Sequence, residues 1–288
     1  MNVLVTGASG QLGRALRCLA PDFIYSDITG EDNVRLDITD EAAVNAFVES
    51  NSIDTIINCA AYTDVEAAED NTELAELLNA SAVGILAAAM KARDGLLVHI
   101  STDYIFGGDK YDAPIREDCK PNPTGAYGLS KLHGEEVILH SGVRNVIFRT
   151  AWLFSPWGRN FVKTMLRLTS ERPVICVVND QKGTPTYAPD LAAVILAALE
   201  AGCEGIYNYT DEGECTWYEF AVEIARIAGN TGCEIRPCLS KEYPSKVRRP
   251  SYSVLDKTLV KKTLEIGIPQ WQDSLRECIV SISKSVEK

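Results

Sequence analysis

The chain begins with MNVLVTGASGQLG (residues 1–13), and this stretch decides the fold. The apolar run NVLVT (2–6) predicts a buried strand, and QLGRALRCL (11–19) predicts the helix that follows it. Gly7, Gly10 and Gly13 occupy the turn between them. Such a turn lets backbone amides approach a pyrophosphate at the helix N-terminus, where the helix dipole favours negative charge. The spacing is GxxGxxG rather than GxGxxG, but its place at the first strand–helix junction favours nucleotide binding over a purely structural turn.

Short apolar runs and helical segments continue to alternate up to residue 150. Further strands are predicted at FIYSD (23–27), VRLD (34–37), DTIINCAA (54–61), LLVHIST (96–102) and NVIFRT (145–150). Helices are predicted after TDEAAV, with Thr39 or Asp40 as the N-cap, then over 73–93 and around Tyr127. This alternation is typical of a parallel sheet covered by helices on both faces, which is an α/β fold of the Rossmann-type, doubly wound class.

The pattern becomes less regular after residue 150. Helices are predicted over 160–169, 189–201, 216–228 and 273–283, between loops rich in Gly and Pro. We therefore expect a dinucleotide-binding Rossmann domain (1–151) and a smaller C-terminal substrate-binding lobe (152–288). The segment at about 187–201 is expected to return to the first domain. Ligands should bind in a cleft at the carboxyl ends of the parallel strands.

Composition excludes several classes of function. The net charge of −12 argues against a nucleic-acid partner, because phosphate binding needs a basic face. The nine cysteines form no CxxC pair, which favours buried free thiols in a reducing compartment. The N-terminus lacks the pattern of a signal peptide, and no run of about 20 apolar residues is evident. We expect a soluble, cytoplasmic protein without a membrane partner.

The end of the second predicted strand carries a candidate for cofactor choice. The Asp27 carboxylate can accept hydrogen bonds from the adenosine ribose and would repel a 2′-phosphate, which favours NADH over NADPH. Arg14 and Arg35 are cations that could compensate for that repulsion. Asp37 and Ile38 are candidates for contacts to the edge and face of the adenine.

The small side chains of Ala60 and Ala61, in NCAAYT, would let a dinucleotide approach the backbone closely. The predicted cofactor contacts are Gly7, Gly10, Gln11, Leu12, Gly13, Asp27, Asp37, Ile38, Ala60, Ala61, Tyr62, Thr63, Tyr127 and Lys131.

Tyr127 and Lys131 lie four residues apart in AYGLSKLHGEE (126–136), so they share one face of a helix. A phenol titrates near 10 in water, and a neighbouring ammonium would stabilise its phenolate. Such a pair also occurs by chance in many helices, so it gains meaning only with the rest of the chain.

With the glycine turn, NCAA, STD (101–103) and the Tyr127/Lys131 pair in view, the sequence resembles the extended short-chain dehydrogenase/reductases. Within them it is most similar to the dTDP-4-dehydrorhamnose reductase family. The features that carry this likeness are AAYTDVEAAE, LNA (78–80), STDYIFGG, NPTGAYGLSKLHGE, FRTAWLF, NFVKTMLRL, VVNDQKGTPTYA and RRPSYSVLD. Together they span residues 6–256, which is nearly the whole chain.

The resemblance implies roles for individual residues. Tyr127 is the acid/base residue, Lys131 holds the nicotinamide ribose and lowers the tyrosine pKa, and Thr102 hydrogen-bonds the substrate carbonyl. The implied reaction is hydride transfer from NADH or NADPH to the C4 ketone of dTDP-4-dehydro-L-rhamnose, giving dTDP-L-rhamnose. The implied substrate contacts are Thr102, Asp103, Trp152, Asn160 and Arg249, with Arg248 as another possible partner of the diphosphate.

One departure from the family bears on metals. Some members are described as magnesium-linked dimers through a glutamate of the first helix, and GRALRCL has no acid there. We therefore predict no metal, and a monomer or homodimer. His99, His133 and His140 lack ligand spacing and are interpreted as structural.

Two alternatives stay open. The chain could be a reductase or epimerase of another nucleotide 4-ketosugar, which fold and the Tyr/Lys pair do not separate. It could also be a non-catalytic NAD(P)-binding regulatory subunit, since the regulatory partner of methionine adenosyltransferase has this fold. Retention of Thr102, Tyr127 and Lys131 together favours an enzyme.

Overall fold

The computed structural model describes residues 1–30 and 32–286. The strands are β1 (Val3–Thr6), β2 (Ile24–Asp27), β3 (Val34–Arg35), β4 (Thr55–Asn58), β5 (Leu96–Thr102), β6 (Arg144–Thr150), β7 (Leu153–Phe154), β8 (Val174–Val178), β9 (Lys182–Gly183), β10 (Thr186–Tyr187), β11 (Gly205–Asn208), β12 (Cys215–Thr216) and β13 (Glu234–Cys238). The α-helices are α1 (Gln11–Leu19), α2 (Glu41–Ser50), α3 (Val65–Ala68), α4 (Thr72–Glu76), α5 (Ala82–Lys91), α6 (Ala126–Ser141), α7 (Phe161–Glu171), α8 (Ala188–Glu200), α9 (Trp217–Ala228), α10 (Thr258–Leu264) and α11 (Trp271–Val286).

A central sheet of seven parallel strands organises the described residues, in the order β3-β2-β1-β4-β5-β6-β11. The chain runs outward from β1 in one direction and from β4 in the other. The crevice between these two strands, at their carboxyl ends, is the switch point where doubly wound sheets bind ligands. The predicted Rossmann-type fold is confirmed.

Helices bury both faces of this sheet. Adjacent residues of a strand point to opposite faces, and β1 illustrates this well. Val5 packs into the cluster that includes Leu16 of α1 and Leu191 of α8. Leu4 packs into the opposite cluster, which includes Val44 of α2. Burial on both sides explains why the strands appear in the sequence as continuous apolar runs.

Capping side chains fix several helix starts. Asp40 caps α2 by accepting a hydrogen bond from Ala43 N (3.0 Å), which decides between the two predicted caps. Thr216 and Glu219 form a capping box at the start of α9. The predicted helix over 216–228 is therefore right except that Thr216 lies just outside it.

The helical segment predicted over 73–93 is present, but it is not a uniform α-helix. A π-helical segment, Leu77–Ser81, separates α4 from α5. Asn79 lies in this segment, and its carbonyl oxygen would be only 2.2 Å from a Cβ placed on Gly134 of α6. Widening the helical turn thus lets the backbone of Asn79 press directly onto α6, an arrangement often found at functional sites.

The helical stretch around this segment departs from the expectation that no run reaches membrane-spanning length. Among the described residues, Thr72–Lys91 is 20 residues long and contains an 18-residue window with a mean hydropathy of 1.4, which meets that criterion by length and composition only. Half of this window is buried inside the protein. Its apolar character is accounted for by packing against the sheet and α6.

The C-terminal part of the chain has its own core and also contributes to the central sheet. Phe220 of α9 lies at the centre of a cluster with Val162 of α7 and Leu275 of α11. Helix α8 packs against α1. The strand β11 was missed, because GIYN is a short run without a clear pattern. The domain boundaries themselves stay a prediction.

The cysteines are free thiols in a range of environments. Cys203, Cys215 and Cys278 are buried, as expected, but Cys18 and Cys176 are exposed. The expectation of buried thiols therefore holds for only part of the set.

Candidate active site

The glycine turn brings the ends of β1 and β4 into contact. Gly7 has a φ of +68°, and a Cβ on it would be 2.5 Å from Ala60 N. A Cβ on Gly13 would be 2.5 Å from Ala8 Cα. Both positions exclude a side chain, so the turn keeps its backbone amides close to the switch point of the sheet.

The start of α1 fits a cofactor pyrophosphate. Gly10 precedes the helix and has no side chain to cap it, so the first-turn N–H groups are left for an anion. The side chain of Gln11 is committed elsewhere, because its Oε1 accepts from Ser155 Oγ (2.8 Å) and Asn160 Nδ2 (2.9 Å). Gln11 thus ties the turn to the C-terminal part of the chain, while its neighbour Leu12 is buried beneath the helix.

Asp27 braces the outer side of the glycine turn. Its carboxylate accepts from Ser9 N (2.9 Å) and Thr29 N (3.1 Å). Arg14 Nε donates to Ser9 O (3.0 Å) on the same turn. Arg35 lies at the end of β3, where it pairs in register with Asp27 of β2. The Asp27 carboxylate therefore lies at the β2 end of the turn, and Arg14 and Arg35 lie on the neighbouring backbone segments.

Asp37 and Ile38 lie further along the same edge. The exposed carboxylate of Asp37 accepts from Thr39 Oγ1 (2.7 Å) and Thr39 N (2.9 Å), and these hydrogen bonds lower its pKa. Ile38 is 5% exposed and packs into the core with Val44. The adenine contacts of both residues stay a prediction.

The loop of residues 60–63, which contains Ala60, Ala61, Tyr62 and Thr63, is fixed to the helix that carries the Tyr/Lys pair. Asn79 Oδ1 accepts from Tyr62 N (2.8 Å), and Asn79 Nδ2 donates to Tyr62 O (3.0 Å) and to Ser130 Oγ (3.0 Å). Asn79 is fully buried. Sequence reasoning missed this residue, although LNA (78–80) contains a lone amide in an apolar helix.

Thr102 and Tyr127 converge at the carboxyl end of β5. Thr102 is 5% exposed. Burial raises the pKa of Tyr127 to about 12, a hydrogen bond with Thr102 opposes that rise, and the charge of Asp103 adds to it. The rings of Tyr104 and Tyr127 make an edge-to-face contact with centroids 5.6 Å apart. At neutral pH, Tyr127 is therefore protonated and able to donate.

Lys131 is buried in an unexpected contact. Its Nζ lies 3.0 Å from Nε2 of His99, and the two residues are 2% and 0% exposed. Burial lowers the pKa of Lys131 to about 8, while Glu135 and Cys59 raise it. The interpretation of His99 as merely structural overlooked this contact. The signal available was a histidine inside the apolar strand LLVHIS.

Two of the predicted substrate residues flank the Thr102/Tyr127 pair. Asp103 is buried, and its Oδ2 has no hydrogen-bond partner within residues 1–30 and 32–286. Burial raises the pKa of Asp103 to about 6. Trp152 has a φ of +48° and stacks on Trp217 with ring centroids 3.6 Å apart. A strained non-glycine residue of this kind is common at ligand sites.

The other two predicted substrate residues form hydrogen bonds or ion pairs within the protein. Asn160 caps α7, accepting from Lys163 N (3.1 Å), and also contacts Gln11. Arg249 pairs with Glu66 of α3 (3.0 Å). Sequence reasoning missed Glu66, which also accepts from Lys246 N (2.9 Å) and so fixes the segment before Arg249.

A family model described as the RmlD substrate binding domain matches residues 1–284. The chain belongs to this family. It is 36% identical over 286 residues to a dTDP-4-dehydrorhamnose reductase of Aggregatibacter actinomycetemcomitans, with 95% of this chain and 97% of that protein covered. It is 38% identical to a probable dTDP-4,6-dihydroxy-2-methyloxan-3-one 4-ketoreductase of Streptomyces antibioticus, with 98% and 96% covered.

A solved structure is similar throughout. The dTDP-4-dehydrorhamnose reductase of Bacillus anthracis, in complex with NADP, superposes with a TM-score of 0.90 at 35% identity, covering 98% of this chain and 100% of that one. The resemblance to the dTDP-4-dehydrorhamnose reductases is thereby confirmed across the chain.

Proposed function

We propose that this chain reduces dTDP-4-dehydro-L-rhamnose to dTDP-L-rhamnose with NADH or NADPH. The observation that carries the proposal is the convergence of a threonine hydroxyl and a protonated phenol at the switch point of the sheet. Membership of the RmlD family and full-length similarity to dTDP-4-dehydrorhamnose reductases support the same reaction.

Each group of the Thr102/Tyr127 pair has a definite chemical task. A nicotinamide bound in the cleft would supply hydride, which the C4 carbon of the ketone would accept. The Thr102 hydroxyl hydrogen-bonds the ketone oxygen, and Tyr127 transfers its proton to that oxygen as negative charge develops. Because burial keeps the pKa of Tyr127 high, at about 12, the phenol is fully protonated before the reaction.

The cofactor site follows from the glycine turn. First-turn amides of α1 would hold the pyrophosphate, Asp27 would accept from the adenosine ribose, and Lys131 would hold the nicotinamide ribose. The B. anthracis relative with NADP supports this assignment for the fold. Arg14 and Arg35, which lie on the backbone segments next to Asp27, are consistent with use of either dinucleotide.

The substrate site takes an anionic nucleotide sugar. A cavity of about 240 Å³ is lined by Gln181, Lys241, Arg248 and Arg249, and guanidinium groups suit a diphosphate. The unpartnered Asp103 Oδ2 supplies an acceptor for a sugar hydroxyl. Trp152 offers an aromatic face to the sugar ring. The pocket is cationic although the chain as a whole is acidic.

One alternative has a specific observation in its favour. The S. antibioticus relative is named as a ketoreductase of a different dTDP-linked sugar, and its identity of 38% lies within the range of 34% to 39% found for the rhamnose enzymes. The second candidate is therefore reduction of another dTDP-4-ketosugar by the same groups. Epimerases of this fold differ from both candidates because they regenerate the cofactor within each turnover and so consume none.

The deciding experiment is a substrate panel. Purified protein is mixed with NADH or NADPH and either dTDP-4-dehydro-L-rhamnose or another dTDP-4-keto-6-deoxysugar, and the product is identified by NMR. We expect stoichiometric cofactor oxidation and dTDP-L-rhamnose. Preference for the other sugar would support the alternative substrate. A requirement for only catalytic amounts of cofactor, with a mixture of stereoisomers as product, would indicate an epimerase. Binding of the cofactor without turnover would indicate a regulatory subunit.

We further propose that the protein works in the cytoplasm, as a monomer or homodimer. A dinucleotide and a nucleotide sugar are both cytoplasmic metabolites, and free thiols suit a reducing compartment. Light scattering of the purified protein would determine the oligomeric state.

A further inference from the structure

A chain of buried polar groups runs from the glycine turn to Lys131. The Thr6 hydroxyl donates to Asn58 Oδ1 (2.7 Å), and Ala60 N donates to the same oxygen (3.2 Å). Asn58 Nδ2 lies 3.2 Å from His99 Nδ1, and His99 Nε2 lies 3.0 Å from Lys131 Nζ. All four side chains are at most 2% exposed. This hydrogen-bond chain thus runs across β1, β4 and β5 in the interior of the protein.

The direction of these hydrogen bonds can be worked out from the backbone. Ala60 N–H is a fixed donor, so the amide atom of Asn58 that faces it must be the oxygen. The amide NH₂ of Asn58 therefore points at His99 Nδ1. Because an N–H can bond only an acceptor, Nδ1 carries no proton, and the neutral ring of His99 holds its proton on Nε2.

That proton faces Lys131. A lysine ammonium has three donors and no acceptor, so it would oppose the Nε2–H group of His99. A neutral amine has a lone pair and can accept from it. We propose that Asn58 and His99 form a directed hydrogen-bond chain that holds Lys131 as a neutral amine whenever the lysine contacts His99. His99 and Asn58 are positioning residues, since they act through Lys131.

The surroundings of Lys131 agree with this state. Besides His99 of β5, titratable groups face Lys131 from two other places, namely Cys59 after β4 and Glu135 on its own helix α6. Both raise its pKa, yet burial prevails and lowers it to about 8. Burial likewise holds the pKa of His99 well below its usual range, so the ring stays neutral.

For the proposed reaction, on which this step rests, the protonation of Lys131 decides which group the lysine contacts. Protonated Lys131 must turn away from His99 and toward the cleft, where a ribose hydroxyl can accept from it. Protonation of the lysine and its contact with His99 then exclude one another. The alkaline limb of kcat/KM is expected to report this equilibrium.

The direct test is the position of the ring proton, which requires no substrate. Two-bond ¹H–¹⁵N correlation spectra of the ¹⁵N-histidine-labelled protein distinguish a protonated from an unprotonated ring nitrogen. We expect Nε2 protonated and Nδ1 unprotonated in His99 of the wild-type protein near neutral pH. A proton on Nδ1 would overturn the proposal, whatever the enzyme's substrate.

Asn58→Asp is designed to reverse the direction of the hydrogen bonds between residue 58, His99 and Lys131. A carboxylate keeps an oxygen toward Ala60 and offers a second oxygen to His99, so the ring proton should move to Nδ1. His99 Nε2 then accepts from a Lys131 ammonium, and the pH at which Lys131 titrates should rise by about one unit or more. Thr6→Val is the matched control, because Ala60 still fixes the amide.

The outcomes of this variant are distinguishable. Movement of the ring proton together with the lysine titration, and an upward shift of the alkaline limb of kcat/KM, support the proposal. A shifted lysine titration with the proton still on Nε2 would mean that the added charge acts alone, and would overturn it. If the ring proton and the lysine behave as expected but the wild-type protein reduces no sugar, the proposed function fails and the hydrogen-bond chain stands.

Discussion

Replacing Lys131 with methionine should change how stability depends on pH. Methionine has a similar length and no charge, so it fills the same buried space. Burial lowers the pKa of Lys131 from its ordinary 10.5 to about 8. A shift of one pKa unit corresponds to about 1.4 kcal/mol. Protonating the buried amine therefore costs the folded protein roughly 3 kcal/mol more than it costs the unfolded chain.

The direction of the pH dependence follows from the number of protons that the folded and the unfolded protein bind. Between about pH 8 and pH 10.5 the unfolded chain holds a proton on Lys131 that the folded protein has released, so the stability of the wild type rises with pH in this window. The methionine variant lacks this contribution. The difference in unfolding free energy between wild type and variant should therefore shift by roughly 2 to 3 kcal/mol in favour of wild type between about pH 7 and pH 10.

Urea unfolding followed by circular dichroism measures this difference at each pH. Tyrosines and cysteines also titrate in this range, but they are common to both proteins and largely cancel. Lys262→Met, on the exposed side of α10, is the matched control and should give a curve parallel to wild type. A constant difference between Lys131→Met and wild type over the whole range would refute the reasoning about burial.

Three further variants test other parts of the account. Asp27→Ala should lower the preference for NADH over NADPH by roughly fivefold, because a charge that repels the 2′-phosphate is lost; an unchanged ratio of kcat/KM values would count against the ribose assignment. Gly134→Ala should destabilise the protein by roughly 1 to 3 kcal/mol, because the added Cβ would be 2.2 Å from the carbonyl oxygen of Asn79. The control Gly232→Ala has open space around its added Cβ and should not destabilise the protein. Equal midpoints of urea unfolding for the two variants would contradict this expectation. Burial raises the pKa of the Asp103 carboxyl to about 6, so between about pH 4 and pH 6 the folded protein keeps a proton that the unfolded chain releases, and the stability of the wild type falls as the pH rises. Asp103→Asn should remove this loss of stability. Parallel curves of unfolding free energy against pH for the variant and the wild type would contradict this expectation.

The fold could be predicted because the signals that specify it are local. A run such as LLVHIST (96–102) is short, apolar and bounded by turn residues, and the parallel sheet buries it on both faces. The strand β11 escaped prediction because GIYN has neither length nor periodicity. It pairs with β6, more than fifty residues away, and only that tertiary contact makes it a strand.

The π-helical segment escaped prediction for a related reason. Its residues have ordinary helical propensity, and nothing local separates Leu77–Ser81 from the helix on either side. The extra residue in the turn depends on the close approach to Gly134, which is distant in sequence. Contacts of this kind are visible only once the helices are packed.

The candidate site was predicted in outline but not in its buried connections. Spacing along α6 indicated Tyr127 and Lys131, and the end of β5 indicated Thr102. The contact between Lys131 and His99 depends on the alignment of β5 with α6, so it could not be read from either segment alone. The lysine was expected to serve the phenol directly, whereas the structure directs it at an imidazole.

The central claim is that Tyr127 delivers the proton to the ketone oxygen. Its most direct test is Tyr127→Phe, assayed by product formation from dTDP-4-dehydro-L-rhamnose, with cofactor affinity measured on the same preparation. We expect the rate to fall about a hundredfold or more while the dinucleotide still binds. A variant that binds cofactor and reduces the sugar at close to the wild-type rate would contradict the account.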